Sequence, residues 1–78
     1  MLGSAIRSAR EKRGLSQETV AERARIGRSY LSLLENDVKS PTVKVLFRVC
    51  GAIGVSASDV IREVEEGMPK RNPKTKMG

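Results

Sequence analysis

Apolar residues recur along this chain at spacings of three and four, the period of an amphipathic α-helix. No run alternates with a period of two, and the only aromatic residues are Tyr30 and Phe47. Signals for β-strands are therefore weak, and the pattern predicts an all-α protein. The residues that fall on the apolar stripes, and are predicted to form the core, are Ile6, Ala9, Val20, Ala21, Ala24, Leu31, Leu34, Leu46, Val49, Cys50, Ile53, Val60, Ile61 and Val64.

The predicted helix starts carry a hydrophobic staple, in which an apolar residue precedes a small capping residue and contacts a second apolar residue further along. Leu15, Ser16 and Val20 form one such set. Pro41-Thr42 marks another start, because proline cannot continue a preceding helix and threonine can cap a new one. Glycines mark the predicted stops, at Gly14, Gly54 and Gly67. The predicted helices span residues 2–13, 16–24, 27–36, 42–53 and 56–66.

All of these helices fall within residues 1–67, which we expect to form one small domain with a single modest core. The remaining stretch, residues 68–78, reads MPKRNPKTKMG. It combines prolines and positive charges with little that could be buried. We therefore expect a disordered basic tail at this end of the chain.

The charge of the chain is positive and unevenly spread. Fifteen Lys and Arg against nine Asp and Glu give a net charge of +6. This excess suits a polyanionic partner such as nucleic acid, although surface charge can also serve solubility alone. Residues 1–58 carry +5, residues 59–67 carry −3 and residues 68–78 carry +4. Such a split is expected if only one end of the domain meets phosphate.

Several classes of protein are disfavoured. The single cysteine, Cys50, cannot form an internal disulfide, and we find no secretory signal, lipidation motif or long apolar run. We therefore expect a cytoplasmic protein with no membrane partner. The chain has no histidine, no metal-ligand cluster, no nucleophile with a nearby base and no phosphate-binding glycine loop. We expect neither an enzyme nor a cofactor, metal or small-molecule ligand.

The second and third predicted helices are joined only by Arg25-Ile26-Gly27. This length is typical of a sharply crossed helix pair rather than an antiparallel hairpin, and it predicts a helix-turn-helix. The small residue Ala21 suits the point where two crossing helices touch. The turn position that usually carries glycine is occupied by Arg25, where a positive φ would cost roughly 1 kcal/mol.

From about Ile6 to Ile61 the chain resembles the phage-repressor and Cro class of helix-turn-helix proteins, the XRE family. The resemblance is carried in order by IRSAREKRGLSQETVAERA, RSYLSLLEN and SPTVKVLFRVCGAIGVSASDVI. Its markers are an arginine-bearing first helix, LSQ before the second, LEN at the end of the third, and IGVS before the fifth. The resemblance implies a compact five-helix, lambda-repressor-like domain that places helix 27–36 in the major groove of DNA.

On this resemblance, the outward side of helix 27–36 contacts base edges. Arg28 could fork onto guanine O6 and N7, or it could contact only phosphate. Leu33 could press on a thymine methyl group, or it could complete the edge of the core. The remaining polar positions could read a base, bind phosphate or be plain surface residues. The base-reading candidates are Arg28, Ser29, Ser32 and Leu33.

The resemblance also implies phosphate contacts on both flanks of this helix. Gln17 begins the second helix, where free backbone N–H groups and the helix dipole favour an anion. Tyr30 could offer its hydroxyl to a phosphate or pack at the rim of the core. Lysines beyond the third helix could act as point charges on phosphate, or they could simply be solvated. The phosphate-binding candidates are Gln17, Tyr30, Asn36, Lys39, Ser40, Thr42 and Lys44.

Two further predictions are structural. In related proteins the positions of Arg10 and Glu35 form an ion pair that links the first helix to the end of the third. The other basic residues of the first two helices are predicted to be solvated, with no specific contact. They are Arg7, Lys12, Arg13, Arg23 and Arg25.

The implied function is a sequence-specific regulator of transcription that binds double-stranded DNA as a homodimer on an inverted repeat. Its two recognition helices would lie about 34 Å apart, one turn of DNA. Val45, Val49 and Ala52 on the fourth helix are candidates for the dimer interface, unless they pack within the monomer. Among short members of the class, both a Cro-like repressor and a restriction-modification controller protein fit. The alternative is a protein-interaction module of the same fold, of the antitoxin or coactivator type.

Overall fold

The computed structural model describes residues 1–67, and over that range the chain forms α-helices and no strand. The all-α prediction is confirmed, and each predicted helix boundary lies within one residue of the observed one. The predicted tail, residues 68–78, lies outside the described residues. The helices are α1 (Leu2–Lys12), α2 (Gln17–Ala24), α3 (Arg28–Glu35), α4 (Val43–Ile53) and α5 (Ala57–Gly67).

Capping side chains and a glycine define the helix ends at the positions that the sequence predicted. The Ser16 hydroxyl accepts a hydrogen bond from the backbone N–H of Thr19 at 3.0 Å and so caps α2. The Thr42 hydroxyl caps α4 in the same way, accepting from the backbone N–H of Val45 at 3.1 Å. Gly54 ends α4 with φ +91°, a left-handed conformation that residues with a side chain adopt at a cost.

The core forms where the five helices meet, and it contains most of the residues that the apolar stripes predict. Ile6, Val20, Leu31 and Val49 have no exposed surface, while smaller residues fill the space between them. Ile61 is the exception, because 48% of it is exposed. It lies at the edge of the apolar stripe of α5, on a side that α1 and α4, the helices packed against α5, leave open.

Helix α3 is held between α1 and α2, and α4 packs against α2. The inner side of α3 is therefore buried against two helices, while its outer side faces solvent. Cys50 on α4 is buried as predicted, and its burial raises the pKa of the thiol above the usual range. No helix between Met1 and Gly67 has the length and apolar character needed to cross a membrane.

The predicted dimer residues of α4 do not form a free surface. Val49 is completely buried within the monomer, so the prediction that it lies at a dimer interface is wrong. Val45 and Ala52 are half-buried and pack against the core. The exposed apolar residues of α4 lie on another side of the helix, at Val43 and Phe47, which are 68% and 62% exposed.

Two arginines that we expected to be merely solvated bind the C-terminal end of α4. Arg13 donates to the carbonyl oxygen of Gly54 at 3.0 Å, and Arg23 donates to that of Ala52 at 3.3 Å. The last carbonyls of a helix lack intrahelical donors and carry partial negative charge. These contacts therefore stabilise the end of α4 from both α1 and α2.

Candidate nucleic-acid interface

The connection between α2 and α3 has the sharp turn that its length predicts. Arg25 adopts the left-handed conformation, with φ 61° and ψ 46°. Its backbone N–H donates to the carbonyl oxygens of Ala21 and Glu22, and the N–H of Ile26 donates to that of Ala21 at 3.0 Å. These bonds offset the strain of a non-glycine residue at positive φ, which costs about 1–2 kcal/mol.

The inner and outer sides of α3 differ sharply. Leu31 and Leu34 are 0% and 1% exposed and anchor the helix in the core. Arg28 and Ser29 are exposed. One shallow surface concavity brings all four predicted base-reading residues together with the predicted phosphate ligand of α2, and it is lined by Gln17, Arg28, Ser29, Ser32 and Leu33.

The sequence left two interpretations open for both Tyr30 and Leu33, and the structure gives these two side chains different surroundings. The half-buried Tyr30 packs against the core, as one of its two interpretations predicted. Leu33 is also half-buried, but its side chain lines the outer concavity with Ser29 and Ser32. Among the described residues, it is not one of the apolar side chains that pack against the core cluster.

A buried ion pair joins α1 to the last residue of α3. Arg10 Nε donates to Glu35 Oε2 at 2.7 Å, and Arg10 Nη2 donates to Glu35 Oε1 at 3.0 Å. Arg10 Nη1 also donates to the carbonyl oxygen of Leu15 at 2.7 Å, so the guanidinium fixes the start of the α1–α2 connection as well. The hydrogen bond to Glu35 is the main reason that the pKa of Arg10 is raised.

Gln17 extends this network to the surface. Its amide Nε2 donates to Glu35 Oε1 at 3.0 Å, so one carboxylate orients both the arginine and the glutamine. Gln17 is also the first residue of α2, where backbone N–H groups have no intrahelical acceptor. A polar cleft opens beside it between α1, α2 and α3, lined by Arg7, Arg10, Ser16, Gln17, Glu18, Arg28, Glu35 and Asn36.

The other phosphate candidates lie beyond the C-terminal end of α3. Asn36 folds back onto the helix, where its amide donates to the carbonyl oxygen of Ser32 at 2.9 Å. Thr42 uses one lone pair to cap α4. Lys39, Ser40 and Lys44 are exposed.

The sequence gave no sign of the role of Asp37, which follows α3 with φ 59°. Its Oδ1 accepts a hydrogen bond from the backbone N–H of Gly3 at 2.8 Å, and its Oδ2 accepts one from the amino group of Met1 at 2.8 Å. The carboxylate thus caps the start of α1 and ties it to the loop after α3. The bond to the amino group, followed by the bond to Gly3, holds the pKa of Asp37 below its usual value.

This capping bond predicts a pH-dependent contribution to stability. A carboxyl group whose pKa is lowered by folding adds stability above its unfolded pKa of about 4, and that stability is lost as the pH falls through the folded pKa. Asp37→Asn is therefore expected to be less stable than the wild type at pH 7, with a difference that shrinks below about pH 4. Urea unfolding at several pH values measures this. Asp59→Asn, which removes an exposed carboxylate that contacts Arg62 at 3.5 Å, is the control. A pH-independent difference for Asp37→Asn would contradict the assignment.

The fold and its contacts define the class of protein first. A short, sharply turned pair of helices presents the polar outer side of its second member and anchors the inner side with leucines, which is a helix-turn-helix domain. The model of the helix-turn-helix family matches residues 6–60. The chain belongs to this family.

Known proteins resemble the chain in sequence and in structure. It is 37% identical over 62 residues to the immunity repressor protein of Bacillus phage phi105, a match that covers 80% of this chain and 43% of the repressor. The match thus spans less than half of that relative's length. The crystal structure of the clp gene regulator ClgR from C. glutamicum superimposes with a TM-score of 0.84 at 37% identity, covering 90% of this chain and 91% of the ClgR chain in that structure. The structure of the master regulator for biofilm formation SinR in complex with DNA has a TM-score of 0.73 at 31% identity, covering 78% of this chain and 98% of the SinR chain in that structure.

Proposed function

We propose that this chain is a transcriptional regulator that binds double-stranded DNA sequence-specifically, with α3 in the major groove. The observation that carries the proposal is the two-sided character of α3: Leu31 and Leu34 are buried, while Arg28 and Ser29 face solvent in a shallow concavity. A major groove about 12 Å wide admits a helix with its outer residues against base edges. The similarity to a repressor and to a DNA-bound regulator supports the same function.

Phosphate contacts on both flanks of α3 would fix its position in the groove. On one side, the amide of Gln17 is held by Glu35 at the N-terminus of α2, where the helix dipole favours a phosphate. On the other side, Lys39 and Lys44 are exposed beyond the end of α3. Two flanks of this kind match the two phosphate backbones that border one groove.

Selection of bound sequences from a random duplex pool at near-physiological salt tests this function. We expect a consensus in the form of an inverted repeat, because a twofold dimer presents two copies of α3. Arg28→Ala is expected to relax the preference at one position in each half-site. Lys12→Ala removes an equal charge from the far end of α1 and should leave the consensus unchanged. A pool that returns no preferred sequence would contradict the proposal and favour a protein-interaction module.

The homodimer that we propose uses a surface different from the one expected from the sequence. Val43 and Phe47 lie one helical turn apart on α4 and are largely exposed, and Ile61 on α5 is 48% exposed. Gly51 continues the side of Val43 and Phe47 by one more turn, and no atom of another helix lies within 4 Å of the position that its Cβ would take. A second helix could therefore approach closely, and large exposed apolar side chains are typical of interface centres.

The exposed side of α4 predicts which substitutions weaken the dimer. Phe47→Ser is expected to raise the dimer dissociation constant at least tenfold, since burying a phenylalanine contributes about 1.5–3 kcal/mol. Analytical ultracentrifugation over a range of concentrations measures the constant. Val43→Ser is expected to act in the same direction, whereas Val38→Ser, at a valine with a similar exposure of 66% outside this surface, is the matched control. Equal effects of the two valine substitutions would exclude α4 as the interface.

A further inference from the structure

We infer that each DNA half-site recognised by this chain has two strongly preferred positions, a guanine contacted by Arg28 and a thymine whose methyl group contacts Leu33. The two positions are different base pairs of the half-site, with little preference between them. The inference rests on the proposed function and specifies its ligand. It follows from the surroundings of each side chain on the outer side of α3.

Leu33 is the one apolar residue in a concavity whose other members are Gln17, Arg28, Ser29 and Ser32. Leu33 is half-buried, yet it is not among the partly buried apolar residues that pack against the core cluster. Among base edges in the major groove, only thymine offers an apolar group, its C5 methyl. A leucine on this surface is therefore complementary to thymine and to no other base of DNA.

Arg28 is the other discriminating residue. It is the first residue of α3, is exposed and lines both the concavity and the neighbouring cleft. Within residues 1–67, no carboxylate forms an ion pair with it. Its guanidinium is therefore available for the two acceptors of guanine, O6 and N7, which arginine contacts with two parallel hydrogen bonds.

Helix geometry separates the two preferences from each other. Arg28 and Leu33 are five positions apart, which corresponds to about 7.5 Å along the helix axis. Successive bases along one strand of DNA are about 3.4 Å apart. The two side chains also point about 140° apart around the helix, so their contacts fall on different base pairs.

The residues between them discriminate poorly. The hydroxyls of Ser29 and Ser32 can both donate and accept a hydrogen bond, so they tolerate several bases. Asn36 is less available to a base, because its Nδ2 donates one of its two hydrogens to the carbonyl oxygen of Ser32 and so holds the amide against its own helix. Recognition therefore depends on the two ends of the concavity.

Replacing the selected thymine by uracil tests the Leu33 contact, because uracil lacks only the C5 methyl group. Affinity of the wild-type chain for the selected duplex is expected to fall about fourfold per half-site, the effect of one methyl-sized apolar contact. Leu33→Ala is expected to bind the thymine and uracil duplexes equally. Ser32→Ala, a change in the same concavity, should keep the wild-type ratio between the affinities for the thymine and the uracil duplexes. Equal binding of both duplexes by the wild type would overturn the contact.

Replacing the selected guanine by 7-deazaguanine, which lacks the N7 acceptor, tests Arg28 in the same way. The wild type is expected to lose roughly tenfold in affinity, and Arg28→Lys, which keeps the charge but not the fork, is expected to discriminate less. A clear consensus whose thymine and guanine tolerate both analogues would refute the inference and leave the proposed function standing. A pool without any consensus would refute the proposed function itself.

Discussion

Replacing Glu35 by alanine is expected to lower the free energy of unfolding by about 3–5 kcal/mol, the usual result of removing one partner from a buried ion pair. The Glu35 side chain is only 1% exposed, and it accepts two hydrogen bonds from Arg10. Without the carboxylate, the guanidinium would remain in a site where it is 10% exposed, with no anion to balance its charge. Denaturant unfolding followed by circular dichroism measures the loss.

The double substitution of Arg10 and Glu35 by methionine is the control for this prediction. It removes both charges and leaves apolar side chains of similar length, so it is expected to be more stable than either Arg10→Met or Glu35→Met alone. The sum of the two single effects should therefore exceed the effect of the double variant by about 1–3 kcal/mol. Additive effects would show that the two side chains do not stabilise each other.

Local signals account for the helix ends that the sequence predicts. The hydroxyls of Ser16 and Thr42 bind backbone N–H groups three positions ahead, within the first turn of the helix that each begins. Gly54 adopts the left-handed conformation that it was predicted to provide at the end of α4. Because these interactions involve neighbours in the chain, the sequence contains nearly all the information that they need.

Contacts between distant residues account for what the sequence did not predict. Asp37 binds the N–H of a residue 34 positions away, and Arg13 binds a carbonyl 41 positions away. Neither contact is associated with a periodic pattern in the sequence. Ile61 fits the period of a buried stripe, but whether a neighbouring helix covers it depends on how α5 packs.

In the candidate site, too, the features set by neighbouring residues were predictable and the contacts between distant residues were not. The outer side of α3 was predictable, because Leu31 and Leu34 fix which side must be buried. The hydrogen bonds of the polar residues were not, since they depend on rotamers and on other helices. Gln17 was expected only to face a phosphate, yet its amide also binds Glu35, and the amide of Asn36 binds the carbonyl of its own helix.

Gly3 lies where α1 approaches the end of α3 most closely, a role that nothing in the sequence indicates. A Cβ atom at this position would overlap the carbonyl oxygen of Leu34 and would lie 2.7 Å from that of Glu35. Both obstacles are backbone atoms of α3, so no side-chain rotation can relieve the overlap. The absence of a side chain at Gly3 therefore permits α1 and α3 to pack at their observed distance.

Gly3→Ala is accordingly expected to destabilise the fold by about 1–3 kcal/mol or more, as overpacking of a close contact does. Gly51→Ala is the matched control, because it makes the same chemical change within a helix where the Cβ would meet open space. Alanine is the better helix former by roughly 0.5–1 kcal/mol, so this variant is expected to gain stability. Denaturant unfolding at two protein concentrations measures both effects and separates folding from association. If Gly3→Ala were as stable as the wild type or more stable, α1 and α3 would not be in the close contact described, because that contact is what makes the methyl group at residue 3 unfavourable.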